Sequence, residues 1–323
     1  MKKHTLERLF DIIMHGKYNF SDFLFCKLDD EVQVFEIGSK KLSSQSRIVY
    51  SSSTKLKDFH NFLNMVVFEQ LPSNNNVVYS YRKGVNILDA VIDHRNSKYF
   101  FQTDIRKFFP SIDKKLVSET IKKNKEKIPV SDFDKYSDRV LDMVCHGDHL
   151  TTGFATSPLI SNSVLIEFDD YFYNYCKNNH LVYTRYSDDL IISSNNPFKE
   201  DIELLITKSL DEIYQGSFSI NKSKSRYSHI GQKVKLLGMV ILPNGDITID
   251  RKQKKEIEVL LHYYKEDKNR FNELINDDYQ KGMARISGIL NYIKMIDEEY
   301  LNKLMKKYGV TLIDTLIRKA ASK

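Results

Sequence analysis

The 323-residue sequence is 41% hydrophobic and 28% charged, which is typical of a folded protein and unlike a disordered chain. It contains no apolar run long enough for a membrane span. Its three scattered cysteines (Cys26, Cys145 and Cys176) match neither a disulfide framework nor a metal-binding pattern, and charges interrupt the first 16 residues where a signal peptide is apolar. We therefore expect a cytoplasmic protein with reduced thiols and no membrane partner.

Positive charge is concentrated near the end of the chain. The net charge is +6, and the residues from Arg251 to Lys323 contain 16 Lys and Arg against 11 Asp and Glu. A basic C-terminal module is typical of proteins that bind a polyanion such as a nucleic acid. A solvated helical face rich in Lys has the same composition, so charge alone leaves both interpretations open.

Apolar periodicity predicts mixed helices and strands in the first half of the sequence. Strand patterns have a period of two residues and helical patterns a period near 3.6. The predicted elements are a strand entering a turn at 46–53, an amphipathic helix at 56–71, a strand at 98–109 that Pro110 ends, helices over 114–149 divided by Pro129, and a long helix at 157–178.

The second half begins with strands and ends with helices. Residues 181–193, LVYTRYSDDLIIS, are predicted to form two strands around a tight turn. Residues 234–250 are predicted to form a hairpin, because they contain an Asn-Gly turn between apolar segments. After Arg251 the periodic segments are helical. This order predicts an α+β core followed by a helical module.

The adjacent carboxylates of Asp188 and Asp189 need an explanation, because they lie between two segments that are predicted to be buried. Two neighbouring carboxylates repel each other, and burying either one without a partner is costly. Asp is also a common turn residue, and other Asp pairs occur at 169–170 and 277–278. An exposed hairpin turn and a cation site are both consistent with the pair taken alone.

Asp104 makes the cation site the better hypothesis. It lies at the end of the apolar strand FFQTD, and Ile105 continues the apolar pattern, so Asp104 is poorly placed to form a turn. If this strand lies beside the 181–193 hairpin, three carboxylates meet on one sheet surface. Hard divalent cations, Mg²⁺ above all, prefer such oxygen ligands. Two such ions can activate an attacking hydroxyl and stabilise the leaving pyrophosphate in phosphoryl transfer.

Several motifs, in this order and spacing, resemble those of bacterial reverse transcriptases. The palm motifs are TDIRKFFPSI, GFATSPLISN, RYSDDLIIS, INKSKS and LLGMVI; RIVYSSSTKLKDFHNFL and YSYRKGVNILDAVIDH resemble the fingers, and ISGILNYIKMIDEEYLNKLMKKYG the thumb. The resemblance covers roughly residues 40–309. It implies an α+β right-hand polymerase fold with fingers, a palm of antiparallel sheet with helices, and an all-helical thumb. The implied domains are fingers at 1–98, the first catalytic strand of the palm at 99–113, a fingers/palm helical segment at 114–149, palm at 150–250 and thumb at 251–323.

The resemblance also implies roles for individual residues. Asp104, Asp188 and Asp189 match the catalytic, metal-binding carboxylates, and the backbone carbonyl of Ile105 matches a further ligand of the two ions, Mg²⁺ or alternatively Mn²⁺. Phe109 matches the aromatic residue that excludes a 2′-hydroxyl, although a core aromatic ring would show the same residue type.

Further positions match nucleotide and primer contacts of the family. The nucleotide-binding candidates are Lys41, Arg47, Thr152, Gly153 and Lys224, and Lys224 is also a candidate general acid near the pyrophosphate. The primer grip corresponds to Leu236, Leu237 and Gly238. Thr152 stands where many relatives have Gln, which puts the usual contact to the incoming nucleotide in question. Solvated Lys and Arg side chains and a plain packed hairpin are the alternatives.

A set of fingers, palm and thumb without an added nuclease, maturase or DNA-binding domain resembles the retron and antiphage-defence reverse transcriptases. The implied partners are a structured non-coding RNA template, the RNA–DNA hybrid product, dNTPs and an effector or toxin encoded nearby. Only His94 of one retron signature and Gly238 of another are retained, so a non-retron defence enzyme with protein-primed or weakly templated synthesis remains an alternative. A ribonucleotide polymerase is disfavoured by Phe109 and Ser187, and an inactive RNA-binding scaffold by the three retained carboxylates.

Overall fold

The computed structural model describes residues 3–37, 47–275 and 278–318, and the chain divides into two units. The first unit contains the residues up to Val85 together with Gln102–Ile192 and Phe198–Arg226. The second contains Asn86–Phe101, Ser193–Pro197 and the residues from Tyr227 onward. Both units are therefore discontinuous in sequence.

Helices dominate the described part of the chain. The α-helices are α1 (Leu6–Met14), α2 (Phe20–Leu24), α3 (Leu28–Glu31), α4 (Thr54–Val66), α5 (Ile87–Ile92), α6 (Lys114–Lys123), α7 (Phe133–Val144), α8 (Ser157–Val164), α9 (Ile166–Asn178), α10 (Ile202–Tyr214), α11 (Arg251–Glu266), α12 (Lys268–Leu274), α13 (Tyr279–Ile296), α14 (Glu298–Tyr308) and α15 (Val310–Arg318). The strands are β1 (Val32–Ile37), β2 (Arg47–Ser52), β3 (Tyr99–Asp104), β4 (Cys145–His146), β5 (His149–Leu150), β6 (Val182–Tyr186), β7 (Asp189–Ser194), β8 (Arg226–His229), β9 (Val234–Leu236), β10 (Met239–Ile241) and β11 (Ile247–Ile249).

The N-terminal part of the first unit is held together by aromatic packing. Side chains of Phe10, Phe20, Phe23, Phe59 and Phe62 from α1, α2 and α4 form a cluster with ring centroids 5.1–5.9 Å apart. Such rings bury large apolar areas and favour these tilted and edge-to-face arrangements. Strands β1 and β2, which lie between α3 and α4 in the sequence, pair antiparallel. The predicted strand near 46–53 is confirmed, and the predicted helix at 56–71 ends early, at Val66, before a short 3₁₀ turn.

A four-stranded sheet in the order β6-β7-β3-β8 brings the predicted catalytic strand beside the predicted catalytic hairpin. In the first unit the Ile105 amide donates to the Asp188 carbonyl at 2.9 Å, and in the second the Lys98 amide donates to the Ser194 carbonyl at 2.9 Å. These two bonds show that β3 and β7 run antiparallel. The strand of Asp104 therefore lies beside the 181–193 hairpin, which is the condition on which the cation hypothesis depends.

Three predicted boundaries in the first unit are wrong. The strand at 98–109 ends at Asp104, because the chain turns with Lys107 at φ +48° and forms a 3₁₀ turn at Phe109–Ser111. The long helix at 157–178 is two helices, since the chain tightens into a turn at Leu165. Helix α7 ends at Val144, and the residues up to Leu150 form the small hairpin β4–β5 around Gly147.

The second unit consists of a three-stranded meander and a helical module. Strands pair in the order β11-β10-β9, so the predicted hairpin at 234–250 has a third strand, and the Asn244-Gly245 turn joins β10 to β11. The helical prediction after Arg251 is confirmed, with α12 as an additional helix that Asp267 caps. Asp250 caps α11 and binds Lys233 at 2.9 Å and Lys235 at 3.1 Å, which ties the first helix to the meander. These two ammonium groups and the cap lower the pKa of Asp250 far below its usual range.

All three cysteines are free and buried, in agreement with the sequence-based expectation of reduced thiols. Burial raises the pKa of the Cys145 thiol to about 12, so it stays protonated and unreactive at neutral pH. Within the described ranges, no helix combines the length and the apolar character that crossing a membrane requires.

Candidate active site

The turn between β6 and β7 presents the two adjacent carboxylates. Ser187 has a left-handed backbone with φ +60°, Asp188 follows in the turn, and Asp189 opens β7. The next three residues of β7, from Leu190 to Ile192, are fully buried. The apolar strand anchors the turn in the core, and both carboxylates are half-buried at its end.

Asp104 lies at the end of the neighbouring strand, β3. Its side chain is only 10% exposed, and its Oδ1 atom has no hydrogen-bond partner among the described residues. The other oxygen, Oδ2, binds the ammonium group of Lys224. An unpartnered buried carboxylate oxygen is costly, so Asp104 has unused capacity for a cation.

The electrostatics of the three carboxylates are mutually unfavourable. Burial, the Asp188 charge and the Asp104 charge raise the pKa of Asp189 to about 6. Burial, with a contribution from Asp104, also raises the pKa of Asp188. Lys224 opposes both shifts but does not cancel them. The site therefore holds more negative charge than its protein surroundings compensate.

This donor set fits a divalent cation. Its oxygen ligands are those that such ions prefer, and the orphaned Oδ1 of Asp104 and the raised pKa of Asp189 both show uncompensated charge. Over residues 3–37, 47–275 and 278–318, no three Asp, Glu, His or Cys side chains form a ready-made metal cluster.

Phe109 lies in the 3₁₀ turn that follows β3, five residues after Asp104. Its ring contacts that of Phe108 with centroids 5.3 Å apart. Phe108 is buried, at 5% exposure, whereas Phe109 is only half-buried. The pair therefore divides into one core ring and one ring that is partly available to a ligand.

Thr152 and Gly153 contact the strand β2 within the first unit. The Tyr50 amide donates to the Thr152 carbonyl at 3.2 Å. Gly153 has φ +105°, and a Cβ atom at this position would lie 2.1 Å from the Tyr50 carbonyl oxygen. Glycine is therefore required here for the close approach of two backbone segments, a reason that the sequence did not reveal.

Comparison with known proteins identifies the family. A family model described as "Reverse transcriptase (RNA-dependent DNA polymerase)" matches residues 39–241, well over half of the chain and including Asp104, Asp188 and Asp189. The chain belongs to the reverse transcriptase family. Membership of this family confirms the predicted right-hand polymerase fold and RNA-directed DNA polymerase activity.

Several relatives of this reverse transcriptase are retron enzymes. The Retron Ec73 reverse transcriptase of Escherichia coli is 29% identical over 283 residues, which are 85% of this chain and 86% of the relative. The Retron Ec83 reverse transcriptase of the same species is 28% identical over 250 residues, which are 73% of this chain and 75% of the relative. A solved telomerase structure from Candida albicans, in complex with a fragment of telomeric RNA, aligns at 9% identity with a TM-score of 0.46, over 90% of this chain and 61% of that one.

The remaining candidates in this reverse transcriptase are placed as follows. Lys41 lies outside the described residues. Arg47 is the first residue of β2, and only its backbone is described. In the second unit, Leu237 (φ +47°) and Gly238 (φ +90°) form the two-residue turn after Leu236, between β9 and β10. A left-handed leucine is strained, so this turn retains an unfavourable residue at the predicted primer grip.

Sequence reasoning missed Arg185 and Asp169. The Arg185 side chain is fully buried and binds Asp169 through two nitrogens, Nη2 at 2.6 Å and Nε at 2.9 Å. Its Nη1 also donates to the Ser187 carbonyl at 3.0 Å and to Asn162 Oδ1 at 3.1 Å. Asp169 had been interpreted as one of several ordinary Asp pairs. An arginine inside an otherwise apolar strand was the signal that could have revealed the buried ion pair.

His94, the retained residue of a retron signature, is buried in the second unit. Its Nδ1 hydrogen-bonds Ser193 Oγ at 2.6 Å, and Ser193 Oγ donates to Ser97 Oγ at 2.7 Å. Burial lowers the pKa of His94 to about 3, so the ring is neutral at physiological pH. These contacts indicate a structural role for His94.

Proposed function

We propose that this reverse transcriptase copies a dedicated, structured non-coding RNA into DNA with dNTPs and two Mg²⁺ ions, in a retron that acts in antiphage defence. The orphaned, buried Oδ1 of Asp104 beside the half-buried Asp188 and Asp189 is the observation that supports this function most directly. A site that holds three carboxylates without enough compensating charge is built to bind cations.

Asp104, Asp188 and Asp189 would hold the ions, together with the backbone carbonyl of Ile105, and Mn²⁺ suits the same ligands. When bound, such ions lower the pKa of a primer hydroxyl and stabilise the leaving pyrophosphate. Lys224, which contacts Asp104, would donate a proton to the departing pyrophosphate. Thr152 and Gly153 would contact the incoming nucleotide and templating base, and Lys41 and Arg47 the triphosphate.

Phe109 would select the sugar. A half-buried ring close to Asp104 in sequence excludes a 2′-hydroxyl by volume, so dNTPs are preferred over NTPs. Phe109→Ala is expected to lower the ratio of dNTP to NTP incorporation at least about tenfold, because removing a ring opens the space for one hydroxyl. Primer extension with each nucleotide type measures the ratio, and Phe108→Leu is the control for general damage to the turn. An unchanged ratio in Phe109→Ala would refute the role.

The retron context is supported by the retron relatives that align over most of their length. Because these relatives are retron reverse transcriptases, we expect an RNA template and an RNA–DNA hybrid product to be the nucleic-acid partners of this chain. An effector or toxin protein encoded nearby and a cytoplasmic bacterial location complete the proposal. The turn at Leu236, Leu237 and Gly238 would hold the primer end.

Primer extension on an RNA template tests the catalytic proposal. Wild-type protein is expected to incorporate dNTPs in a Mg²⁺-dependent reaction. Asp104→Asn and Asp188→Asn are expected to remain folded and to reduce the rate at least about 10³-fold, since each removes a ligand charge. Full activity in either variant would refute the metal site.

Sequencing the nucleic acid that copurifies with the protein tests the retron context. A discrete RNA–DNA hybrid with a branched 2′ linkage is expected. DNA joined to a Tyr or Ser side chain would instead indicate protein priming by a non-retron defence enzyme.

A further inference from the structure

A short segment, Val77–Tyr81, runs along the edge of β6 in the first unit. The Arg185 amide donates to the Val77 carbonyl at 2.7 Å, and the Tyr79 amide donates to the Arg185 carbonyl at 3.0 Å. Val78 and Arg185 pair as a parallel bridge. We call Val77–Tyr81 the edge segment. It continues beyond the bridge toward the turn that carries the two catalytic carboxylates.

The end of the edge segment makes two hydrogen bonds to Ser187. The Ser187 amide donates to Ser80 Oγ at 2.8 Å, and the Tyr81 hydroxyl shares a 2.8 Å hydrogen bond with Ser187 Oγ. Ser80 is itself fully buried, and its carbonyl accepts from Asn162 Nδ2 at 3.0 Å. Both the backbone and the side chain of Ser187 are therefore held by residues more than 100 positions away in sequence.

Both partners of the Tyr81–Ser187 hydrogen bond have strained backbones. Ser187 has φ +60° and Tyr81 has φ +58°, a region that residues other than Gly, Asn and Asp rarely adopt. Such strain persists where surrounding contacts over-determine it, and it concentrates at functional sites. Here the left-handed residue Tyr81 contacts the left-handed residue Ser187 directly, and Ser187 immediately precedes Asp188.

The backbone angles at Ser187 set the direction of the two carboxylates that follow. Rotation at Ser187 would move Asp188 and the start of β7 relative to Asp104, which lies on a separate strand. A loosely held turn would add conformational entropy to the cost of metal binding.

We propose that Tyr81 is a positioning residue that holds the catalytic turn in its left-handed conformation, through its hydroxyl and Ser187 Oγ, and so pre-organises Asp188 and Asp189 for divalent cations. This inference rests on the proposed metal-dependent function. Tyr81 is 41% exposed, so its ring contributes less to the core than a buried aromatic would, and its hydroxyl is the group that acts.

Direct metal binding tests the inference without turnover. Mn²⁺ binding is measured by electron paramagnetic resonance of free Mn²⁺ in wild-type, Tyr81→Phe, Ser187→Ala and the double variant. Each single variant is expected to raise the Kd for Mn²⁺ about fivefold, the effect of losing one hydrogen bond. Ser187→Ala also removes a side-chain hydrogen bond to Asp188, so the double variant is expected to be no weaker than Ser187→Ala, which already lacks the bond to Tyr81. Tyr171→Phe, an exposed tyrosine on α9, is the matched control and keeps the wild-type Kd.

A second readout separates positioning from a general effect on folding. The Mg²⁺ concentration that gives half-maximal primer extension is expected to rise about fivefold in Tyr81→Phe, while the rate at saturating Mg²⁺ and the thermal midpoint stay close to those of the wild type. A purely structural defect would instead lower the thermal midpoint and the active fraction at every Mg²⁺ concentration.

The outcomes distinguish the two proposals. If Asp188→Asn loses Mn²⁺ binding and Tyr81→Phe keeps the wild-type Kd and Mg²⁺ midpoint, the positioning role is overturned and the proposed function stands. Additive losses in the double variant also overturn it. Wild-type protein that binds no Mn²⁺ contradicts the proposed function, and with it this inference.

Discussion

At the scale of single residues, the candidate active site carries a charge that weakens the fold. The pKa of Asp189 is raised to about 6, above the ordinary value near 4 for an aspartate. The folded protein therefore binds this proton more tightly than the unfolded chain does. Ionisation of Asp189 costs folding stability above about pH 6, and the cost is absent below about pH 4, where both states are protonated.

Asp189→Asn is accordingly expected to stabilise the metal-free protein. In EDTA at pH 8 its free energy of unfolding should exceed that of the wild type by about 1–3 kcal/mol, and the difference should disappear near pH 4. Urea unfolding at several pH values measures both quantities.

At saturating Mg²⁺ the wild type should instead be more stable than Asp189→Asn. The wild type gains stability from an ion that binds only the folded state, whereas the variant has lost a ligand. A variant that is no more stable than the wild type in EDTA at pH 8 would contradict the charge argument.

Gly153 offers a residue-scale test of close backbone packing. Gly153→Ala is expected to destabilise the protein by about 3–5 kcal/mol, because a Cβ would collide with the Tyr50 carbonyl 2.1 Å away and the backbone has φ +105°. Gly147→Ala is the matched control: it also has positive φ, +64°, but its Cβ would meet nothing within 4 Å, so about 1 kcal/mol is expected. Equal losses of unfolding free energy in the two variants would show that backbone conformation alone explains the requirement for glycine.

At the scale of elements, the buried pair of Arg185 and Asp169 joins β6 to α9. The same guanidinium donates to the Ser187 carbonyl, so the pair also supports the turn between β6 and β7 that carries Asp188 and Asp189. Removing one partner of such a pair leaves an uncompensated charge in the core, whereas removing both charges is often tolerated.

We expect Arg185→Leu to lower the free energy of unfolding by about 3–5 kcal/mol, because it strands the Asp169 carboxylate in the core. Addition of Asp169→Leu should restore at least half of that loss. Lys303→Met, which breaks the exposed pair with Glu299 on α14, is the control and should change stability by less than about 0.5 kcal/mol. Urea unfolding measures all three, and a double variant less stable than Arg185→Leu would argue against burial of charge as the cause.

At the scale of the whole molecule, the distribution of charge favours a nucleic-acid partner. The residues from Arg251 onward carry most of the net +6 charge. On α11, Lys254 is engaged with Asp297 at 3.2 Å, whereas Arg251, Lys252 and Lys255 are exposed. Exposed cations on one helix are suited to contact phosphates, and such contacts release counterions.

Replacing Arg251, Lys252 and Lys255 together by Gln is expected to weaken binding to an RNA–DNA duplex and to reduce the slope of log K against log salt concentration by up to about 3. Fluorescence anisotropy at several NaCl concentrations measures this slope. The control replaces Lys115, Lys122 and Lys123 on α6, which are exposed and carry the same charge. Equal effects of the two triple variants would indicate non-specific attraction to net charge.

Much of the architecture and the identity of the acidic residues could be predicted from residue type and local periodicity. The family, the three carboxylates, the 181–193 hairpin and the helical C-terminal part follow from patterns a few residues long and their order along the chain. Boundaries were less accurate at Asp104 and Leu165, because a local turn there overrides the continued apolar pattern. The roles of Phe109, Lys224 and the 236–238 turn stay predictions.

The sequence by itself determined which groups are candidates for the active site of this reverse transcriptase, since chemistry depends on residue type. Only the tertiary structure decided how they are held: Asp104 beside Asp188, Gly153 against Tyr50, Arg185 on Asp169, and Tyr81 on Ser187. These contacts join residues on different structural elements, from 16 to 106 positions apart along the chain. No local pattern encodes them, because they arise only when strands and helices pack and every buried polar group must find a partner.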